Sequence, residues 1–293
     1  MTAIDERTTA ETPAITQPGV YDIPEAVYHA DPVPGRSLSS SGARRLLECP
    51  ALFDYERRHK RGPKKAFDIG SAAHHLVLGT GPELVVIDAP DMRTKAAKEQ
   101  RDAAYARDAI PLLPAEFEQV QAMAEALKGH PMAAKVFAPE RGPAERSLFW
   151  RDAETGVWCR ARLDHMPTAD YTARWFIVSD YKTTRSAHPE QISKAVYDYG
   201  YHIQAAMYLE GVRALGIHAD PRMVFVFQEK AAPYVTTVIE LDHVALKIGH
   251  SQLRKALALY RQCSESGRWP GYSEQVETIS LPVYAERKHE EDM

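Results

Sequence analysis

The sequence predicts an α/β fold, a central mixed β-sheet flanked by helices and preceded by a helical N-terminal part. Three observations carry that prediction. From about residue 145 onward, SLFW, VWCRARLD, RWFIVSD, RMVFVF and YVTTVIEL are short, rich in β-branched and aromatic residues, and bounded by turn formers, so they read as strands. Between the third and fourth strands lie about forty residues with helical patterning, including PEQISKAVYDYGYHIQAAMYLEGVRAL. A strand, a long helical crossover and a second strand are how a sheet acquires parallel neighbours. Before residue 140, apolar residues recur at helical spacing.

Residues 1–18, rich in Thr, Ala and Pro without apolar periodicity, read as a disordered arm. A single domain is expected over 19–270: helical at 19–140, a sheet core at 141–240 and a C-terminal helix at 241–267. A charged tail, 271–293, closes the chain. Within the helical part, Ser39, Ser40 and Ser41 offer N-cap hydroxyls before GARRLLE, and Pro50 opens ALFDYERRHK. Two helices are therefore expected near 41–48 and 51–59. Phe67, Ile69, Ala72, Ala73, Leu76 and Val77 recur at roughly helical spacing and predict a buried helix over 67–78. Two polar-faced helices at 93–107 and 115–128 read as scaffold. In the sheet core, the turn signal Ala153-Glu154-Thr155-Gly156 makes 146–163 a hairpin, and the last helix is expected near 242–265. No internal repeat is present.

Composition bounds the function. There are 36 Lys+Arg against 40 Asp+Glu, a formal charge of −4, so the chain does not hold nucleic acid by bulk charge and any such role needs a local basic surface. Hydrophobic residues at 44% and charged residues at 26% match globular averages and exclude a wholly disordered or collagen-like chain. Cys49, Cys159 and Cys263 form no Cys-x-x-Cys pair, which argues against a disulfide framework or a zinc ribbon and fits a reducing cytosol. The start, MTAIDERTTAETP, carries acids where a signal peptide needs a basic and then an apolar region, and no apolar run approaches the ~20 residues of a membrane span. The expected location is cytoplasmic.

The sharpest chemical feature is Ser179-Asp180-Tyr181-Lys182-Thr183-Thr184 at the end of an apolar strand. Alternate residues of a strand share a face, so Asp180 and Lys182 project together. A carboxylate holds a hard divalent cation, and a lysine beside it polarises water or a phosphate oxygen. At ordinary residue frequencies about one Asp-x-Lys is expected by chance in a chain this long, and a solvated strand end is the alternative reading. Arg162-Leu163-Asp164-His165 ends another strand, and Glu145 opens the hairpin. Three acids and a lysine in the order Glu, Asp, Asp-x-Lys, each beside a predicted strand, can bind one or two Mg²⁺ ions.

This constellation resembles the PD-(D/E)xK nuclease superfamily, and within it the RecE-like and RecB-like exonucleases of phage and bacterial recombination, including the exodeoxyribonuclease VIII type. The resemblance runs from about residue 20 to 240. RLDHMP followed by IVSDYKTT is similar to the family's x-x-D strand and D-x-K-T strand. Gly70-Ser71-Ala72-Ala73-His74 is similar to its G-x-x-x-H-x-x-L helix, with Val77 in place of the leucine. Glu145-Arg146-Ser147-Leu148-Phe149 resembles the extra acidic position of the RecE-like branch. Gln204 and Tyr208 match its Q-x-x-x-Y helix, and SLSSSGARRLLECPALFDY resembles its entry helix.

The resemblance implies a Mg²⁺- or Mn²⁺-dependent DNA exonuclease with one or two ions per site. His74, Glu145, Asp164, Asp180 and the Tyr181 carbonyl would hold the metal, and Lys182 would orient or activate water. Gln204 would face the site and place Lys182 or a phosphate. By residue type alone His74 also reads as a hydrogen-bonded core histidine, and Gln204 with Tyr208 as a packing stripe. His75 points about 100° away around the helix and is the lesser candidate. The basic run Arg57, Arg58, His59, Lys60, Arg61, Gly62, Pro63, Lys64, Lys65 is either a solvated loop or a track for a DNA backbone, and Tyr208 is a further candidate contact. The family further implies 5′→3′ digestion of linear double-stranded DNA, a ring-shaped trimer or tetramer, and a single-strand annealing partner. Some relatives hold an iron–sulfur cluster with four cysteines, one near the position of Cys49 and three near the C-terminus. Only Cys263 stands near that end, so no cluster is expected. An endonuclease of the same fold, restriction- or junction-cleaving, and a catalytically silent DNA-binding module are the other classes. A P-loop, a Gly-x-Ser-x-Gly elbow and a His-Glu-x-x-His pair are absent from the sequence.

Overall fold

The computed structural model describes residues 14–59, 69–168, 171 and 174–289. A short strand β1 (Gly19–Tyr21) leads into helices α1 (Glu25–Ala30), α2 (Ser40–Glu48), α3 (Pro50–Arg58) and α4 (Ile69–Leu78). Strands β2 (Leu84–Val86) and β3 (Ile110–Leu112) form a small parallel pair around α5 (Lys95–Ala106), and α6 (Pro114–Lys128) and α7 (Pro131–Val136) follow. The core then runs β4 (Ala144–Arg151), β5 (Trp158–His165), β6 (Phe176–Thr184), α8 (Pro189–Asp198), α9 (Tyr201–Ala214), β7 (Pro221–Glu229), β8 (Thr236–Glu240) and α10 (His243–Ser266), with α11 (Val283–Lys288) near the end.

The main sheet has the order β1-β4-β5-β6-β7-β8. Its one parallel pair is β6 with β7, in register from Phe176↔Pro221 to Thr184↔Glu229, and every other pair is antiparallel. The crossover α8–α9 makes that pair possible. It is two helices because Gly200, at φ 70°, adopts the left-handed conformation that side-chain-bearing residues resist. Strand β7 lies between two neighbours and is buried on both faces, which is why Met223-Val224-Phe225-Val226-Phe227 is continuously apolar.

Two cores flank the sheet. On one face Leu46 of α2, Met207 of α9 and Leu257 of α10 pack with Trp150, Leu163, Phe225 and Phe227. On the other, Ala73 of α4, Met123 of α6 and Val136 of α7 pack with Tyr181, Val224 and Val226. Caps follow the sequence signals. The Ser39 hydroxyl accepts from the Gly42 amide at 3.2 Å, and the Asp242 carboxylate accepts from the Ala245 amide at 2.7 Å.

Three expectations need correction. The stretch 19–140 is not wholly helical: β1 pairs with β4 as an edge of the main sheet, and β2 and β3 form the second sheet. Three-residue strands are too short for period-two alternation to register. The N-terminal arm is packed from Ile15 onward, whose side chain is buried beside Tyr28 and Val33 and whose amide donates to the Pro32 carbonyl at 3.0 Å. The charged tail contains the helix α11. Among the described residues no helix is long and apolar enough to cross a membrane.

The packing yields a stability prediction. Leu257 is fully buried between α10, α9 and the sheet. Leu257→Ala is expected to lower unfolding free energy by about 3 kcal/mol, the usual cost of a core cavity, read as a lower urea midpoint at unchanged slope.

Candidate active site

Strands β5 and β6 are joined by a single register pair, His165↔Ser179. Beyond it they diverge, and Asp164 faces residues 180–182 across an open fork. The Tyr181 amide, which a full ladder would have bonded to β5, donates instead to Asp164 Oδ2 at 2.7 Å. A strand residue's N–H and C=O point to the same edge, so the Tyr181 carbonyl is also directed at the fork.

Six more side chains converge there. The start of α4 lies close on β6, where a Cβ at Gly70 would meet the Thr183 hydroxyl at 2.9 Å. Absence of that Cβ lets the helix bring His74 in, with Nε2 3.1 Å from Asp164 Oδ2 and Nδ1 3.4 Å from Glu145 Oε1. Glu145 has φ 53°, uncommon for a side-chain-bearing residue within a strand, and its buried carboxylate is held by Arg162 through Nε at 3.1 Å and through Nη2. Arg162 also donates to Ser147 Oγ and to the Ile23 carbonyl, both at 2.9 Å. On the other side of β6, Lys182 Nζ lies 2.5 Å from Asp180 Oδ2 and 5.2 Å from the centre of the Tyr201 ring. Gln204 Nε2 donates to Asp180 Oδ1 at 2.6 Å.

Three acids thus face three cations, and burial sharpens their differences. The Asp180 carboxyl is pushed up to about 6 by burial and by the charge of Asp164, against the pull of Lys182. Burial also pushes Asp164 up, but His74, Lys182 and the Tyr181 amide outweigh it and hold the carboxyl below the ordinary carboxylate range. Burial pulls His74 down, yet Asp164, Glu145 and Asp180 lift it to about 9. Lys182 is raised despite its burial because Asp180 and Asp164 stabilise its charge. Two neighbouring carboxyls pushed in opposite directions are a mark of acid–base and metal chemistry.

Among the described residues no three His, Cys, Asp or Glu side chains stand arranged as a metal cage. The carboxylate oxygens are turned onto protein cations instead. The donor set nonetheless suits a hard divalent ion, with carboxylates, one imidazole and a backbone carbonyl. Asp180 Oδ2 is buried and accepts no directed hydrogen bond, its close neighbour being the Lys182 ammonium. That oxygen is the acceptor an entering cation needs.

The fork gathers His74, Glu145, Asp164, Asp180, Tyr181, Lys182 and Gln204. Gln204 holds Asp180 rather than Lys182, because its amide hydrogens seek the carboxylate. Tyr208 is buried in the core, so it is not a surface contact for DNA. Arg57 is committed to Asp54 at 2.6 Å and to the Trp269 ring at 4.3 Å, and Arg58 to Asp54 at 2.9 Å. Both tie down α3 instead of forming a free basic track. Lys60, Arg61, Lys64 and Lys65 lie outside the described residues. Sequence reasoning missed Arg162, although its place two residues before Asp164 puts both on one face of β5, and it gave Tyr201 no role at the lysine. A cavity of about 580 Å³, lined in part by Arg36, Ser39, Ser41, Arg44 and Arg160, lies apart from the acids and meets β5 at Arg160, two positions before Arg162.

A family described as "PDDEXK-like domain of unknown function (DUF3799)" matches residues 39–282, a span that contains the whole fork. The fold is similar to the crystal structure of a "Putative exonuclease" from Eubacterium rectale, with a TM-score of 0.59 and 13% identity, over 92% of this chain and 98% of that one. At that identity the likeness shows the fold alone. A second solved structure, of SSO0001, has a TM-score of 0.30 and 13% identity over 68% of this chain and 82% of that one, and carries no argument. No curated protein matches significantly.

The raised histidine makes the metal-free chain pH-sensitive. His74 has a folded value of about 9 against an ordinary 6.5, so its stabilisation is complete below pH 6.5 and is lost as pH rises through 9. Asp180, raised to about 6, acts in the window below that. Urea unfolding in EDTA is expected to show a loss on the order of 3 kcal/mol between pH 6.5 and pH 9, and His74→Gln to flatten that slope.

Proposed function

The chain belongs to the PDDEXK-like family matched over residues 39–282, within the PD-(D/E)xK nuclease superfamily, and we propose that it is a metal-dependent deoxyribonuclease acting from the ends of linear double-stranded DNA. The observation that carries this reading is the fork itself: Asp180 and Lys182 in contact on one strand, with Asp164 tied to the amide between them. Asp164, Asp180, the Tyr181 carbonyl and His74 would hold a hard divalent cation, Mg²⁺ or Mn²⁺, which would supply Lewis-acid polarisation of a phosphate oxygen and a more acidic water.

The protein groups act around that chemistry. Lys182 is paired with Asp180 and, with that carboxylate engaged elsewhere, would orient the attacking water or steady charge on the phosphate. Gln204 keeps the Asp180 carboxylate in one orientation throughout. Glu145 faces His74 Nδ1 and Asp164 faces Nε2, so the two carboxylates fix the ring of the histidine that would join the metal site. The role of Glu145 in this reading is to orient His74, with direct ligation as the alternative. Arg162 offsets the Glu145 charge and keeps that carboxylate in place.

The finer features rest on the resemblance to RecE-like exonucleases. They are 5′→3′ digestion that leaves single-stranded DNA for phage-type recombination, a ring trimer or tetramer, a single-strand annealing partner, and action in the cytoplasm of a bacterial or phage-infected cell.

Incubating the chain with linear and circular duplex, with 5′-phosphorylated and unphosphorylated ends, in Mg²⁺ and in EDTA tests the proposal. Linear duplex is expected to be degraded only with Mg²⁺ and circular duplex to be spared. Lys182→Ala is expected to lower the rate by at least about a hundredfold, the scale of a positioned proton-transfer group, with its circular dichroism unchanged. Wild-type digestion by that variant would sink the assignment, and cleavage of circles would move it to an endonuclease.

A further inference from the structure

Outward from Lys182 the structure carries an aromatic path that the fork chemistry does not use. The Lys182 ammonium lies on the Tyr201 ring, and Tyr201 is braced from beneath by Phe225 and Phe227, with ring centres 5.7 and 5.8 Å away. Tyr199 in turn lies 5.8 Å from Tyr201, tilted by 36°. Tyr199 is 63% exposed, carried into solvent by the turn at Gly200 between α8 and α9. The path ends in water rather than in a core.

A cation accompanies it. The Arg44 side chain from α2 lies against Gly200, where an added Cβ would meet its Cδ at 2.8 Å. Arg44 is exposed, has no acidic partner within ion-pair distance among the described residues, and lines the same cavity as Arg36 and Arg160, where Asp31 and Glu56 also stand. Its neighbours Arg45, Arg57 and Arg160 are each paired with an Asp or Glu. An exposed ring and a free guanidinium, continuous with a half-buried lysine, match a nucleobase and its phosphate better than a protein surface. Stacking serves any base, and the cation serves any phosphate.

We infer that Tyr199 and Tyr201, with Arg44, form a shelf on which an unstacked nucleobase of a single strand or frayed duplex end rests next to Lys182. The inference deepens the nuclease reading and rests on it for the choice of DNA as the strand that docks. Tyr199 is the seat of the base, Tyr201 links the seat to the lysine, and Arg44 holds the adjoining phosphate. These are positioning residues.

The test uses the full chain in EDTA and oligonucleotides carrying 2-aminopurine, whose emission changes on stacking. Wild type is expected to shift the emission of a single-stranded oligonucleotide and of a duplex with a frayed end, and to leave a blunt, fully paired duplex nearly unchanged. Tyr199→Ala should weaken single-strand binding by about tenfold and abolish the emission change, since base–aromatic stacking is worth about 1–3 kcal/mol. Tyr199→Phe and Tyr199→Trp should restore both. Tyr199 is exposed, so thermal melting should be the same in all four proteins. No emission change with wild type, or an unaltered Kd and emission in Tyr199→Ala, overturns the shelf. Digestion of linear duplex in Mg²⁺ with binding indifferent to Tyr199 discards the shelf and keeps the nuclease; Tyr199-dependent emission without digestion does the reverse.

Discussion

One unmade strand pairing organises the site. Because β5 and β6 share only the pair His165↔Ser179, the Tyr181 amide needs another acceptor, and Asp164 supplies it. A buried amide left without a partner costs on the order of a kilocalorie or more, so the carboxylate is held in the fork by the backbone itself. Its fixed charge then raises His74, helps push Asp180 up and holds Lys182 protonated. The chemistry of four side chains follows from where two strands part.

The surrounding charges come in matched pairs: Glu145 with Arg162, Asp164 with His74, Asp180 with Lys182. Buried ion pairs seldom add net stability, because desolvation offsets their attraction. Here the pairing keeps three acids close together in a low-dielectric site, where unpaired they would repel one another or take up protons. Arg162 carries the arrangement further, since its bond to the Ile23 carbonyl ties the segment between β1 and α1 to the acid of β4. The edge of the sheet and the site are therefore coupled through one guanidinium.

Legibility in the sequence followed element length. Long helices such as α6 and α10, and the strands β4 to β8, carry enough residues for periodicity and caps to register, and their expected limits lie within a few residues of those found. The three-residue strands β1, β2 and β3 carry no such pattern, and their pairing is imposed by neighbours distant in the chain. In the fork, Asp180 and Lys182 were readable from strand alternation. Arg162 was overlooked because an arginine beside an acid is ordinary in any surface strand, and Tyr208 was misplaced because a helix stripe does not say which of its sides is buried.

By itself the sequence determined the element types, the parallel crossover and the ordered set of Glu145, Asp164, Asp180 and Lys182, since hydrophobic period and side-chain alternation are local properties of the chain. The tertiary structure decided which groups meet. It paired each acid with its cation, turned Gln204 to Asp180, buried Tyr208 and left Tyr199 in solvent. Those outcomes depend on strand divergence, close helix approach and burial, and each of these arises between segments far apart in sequence.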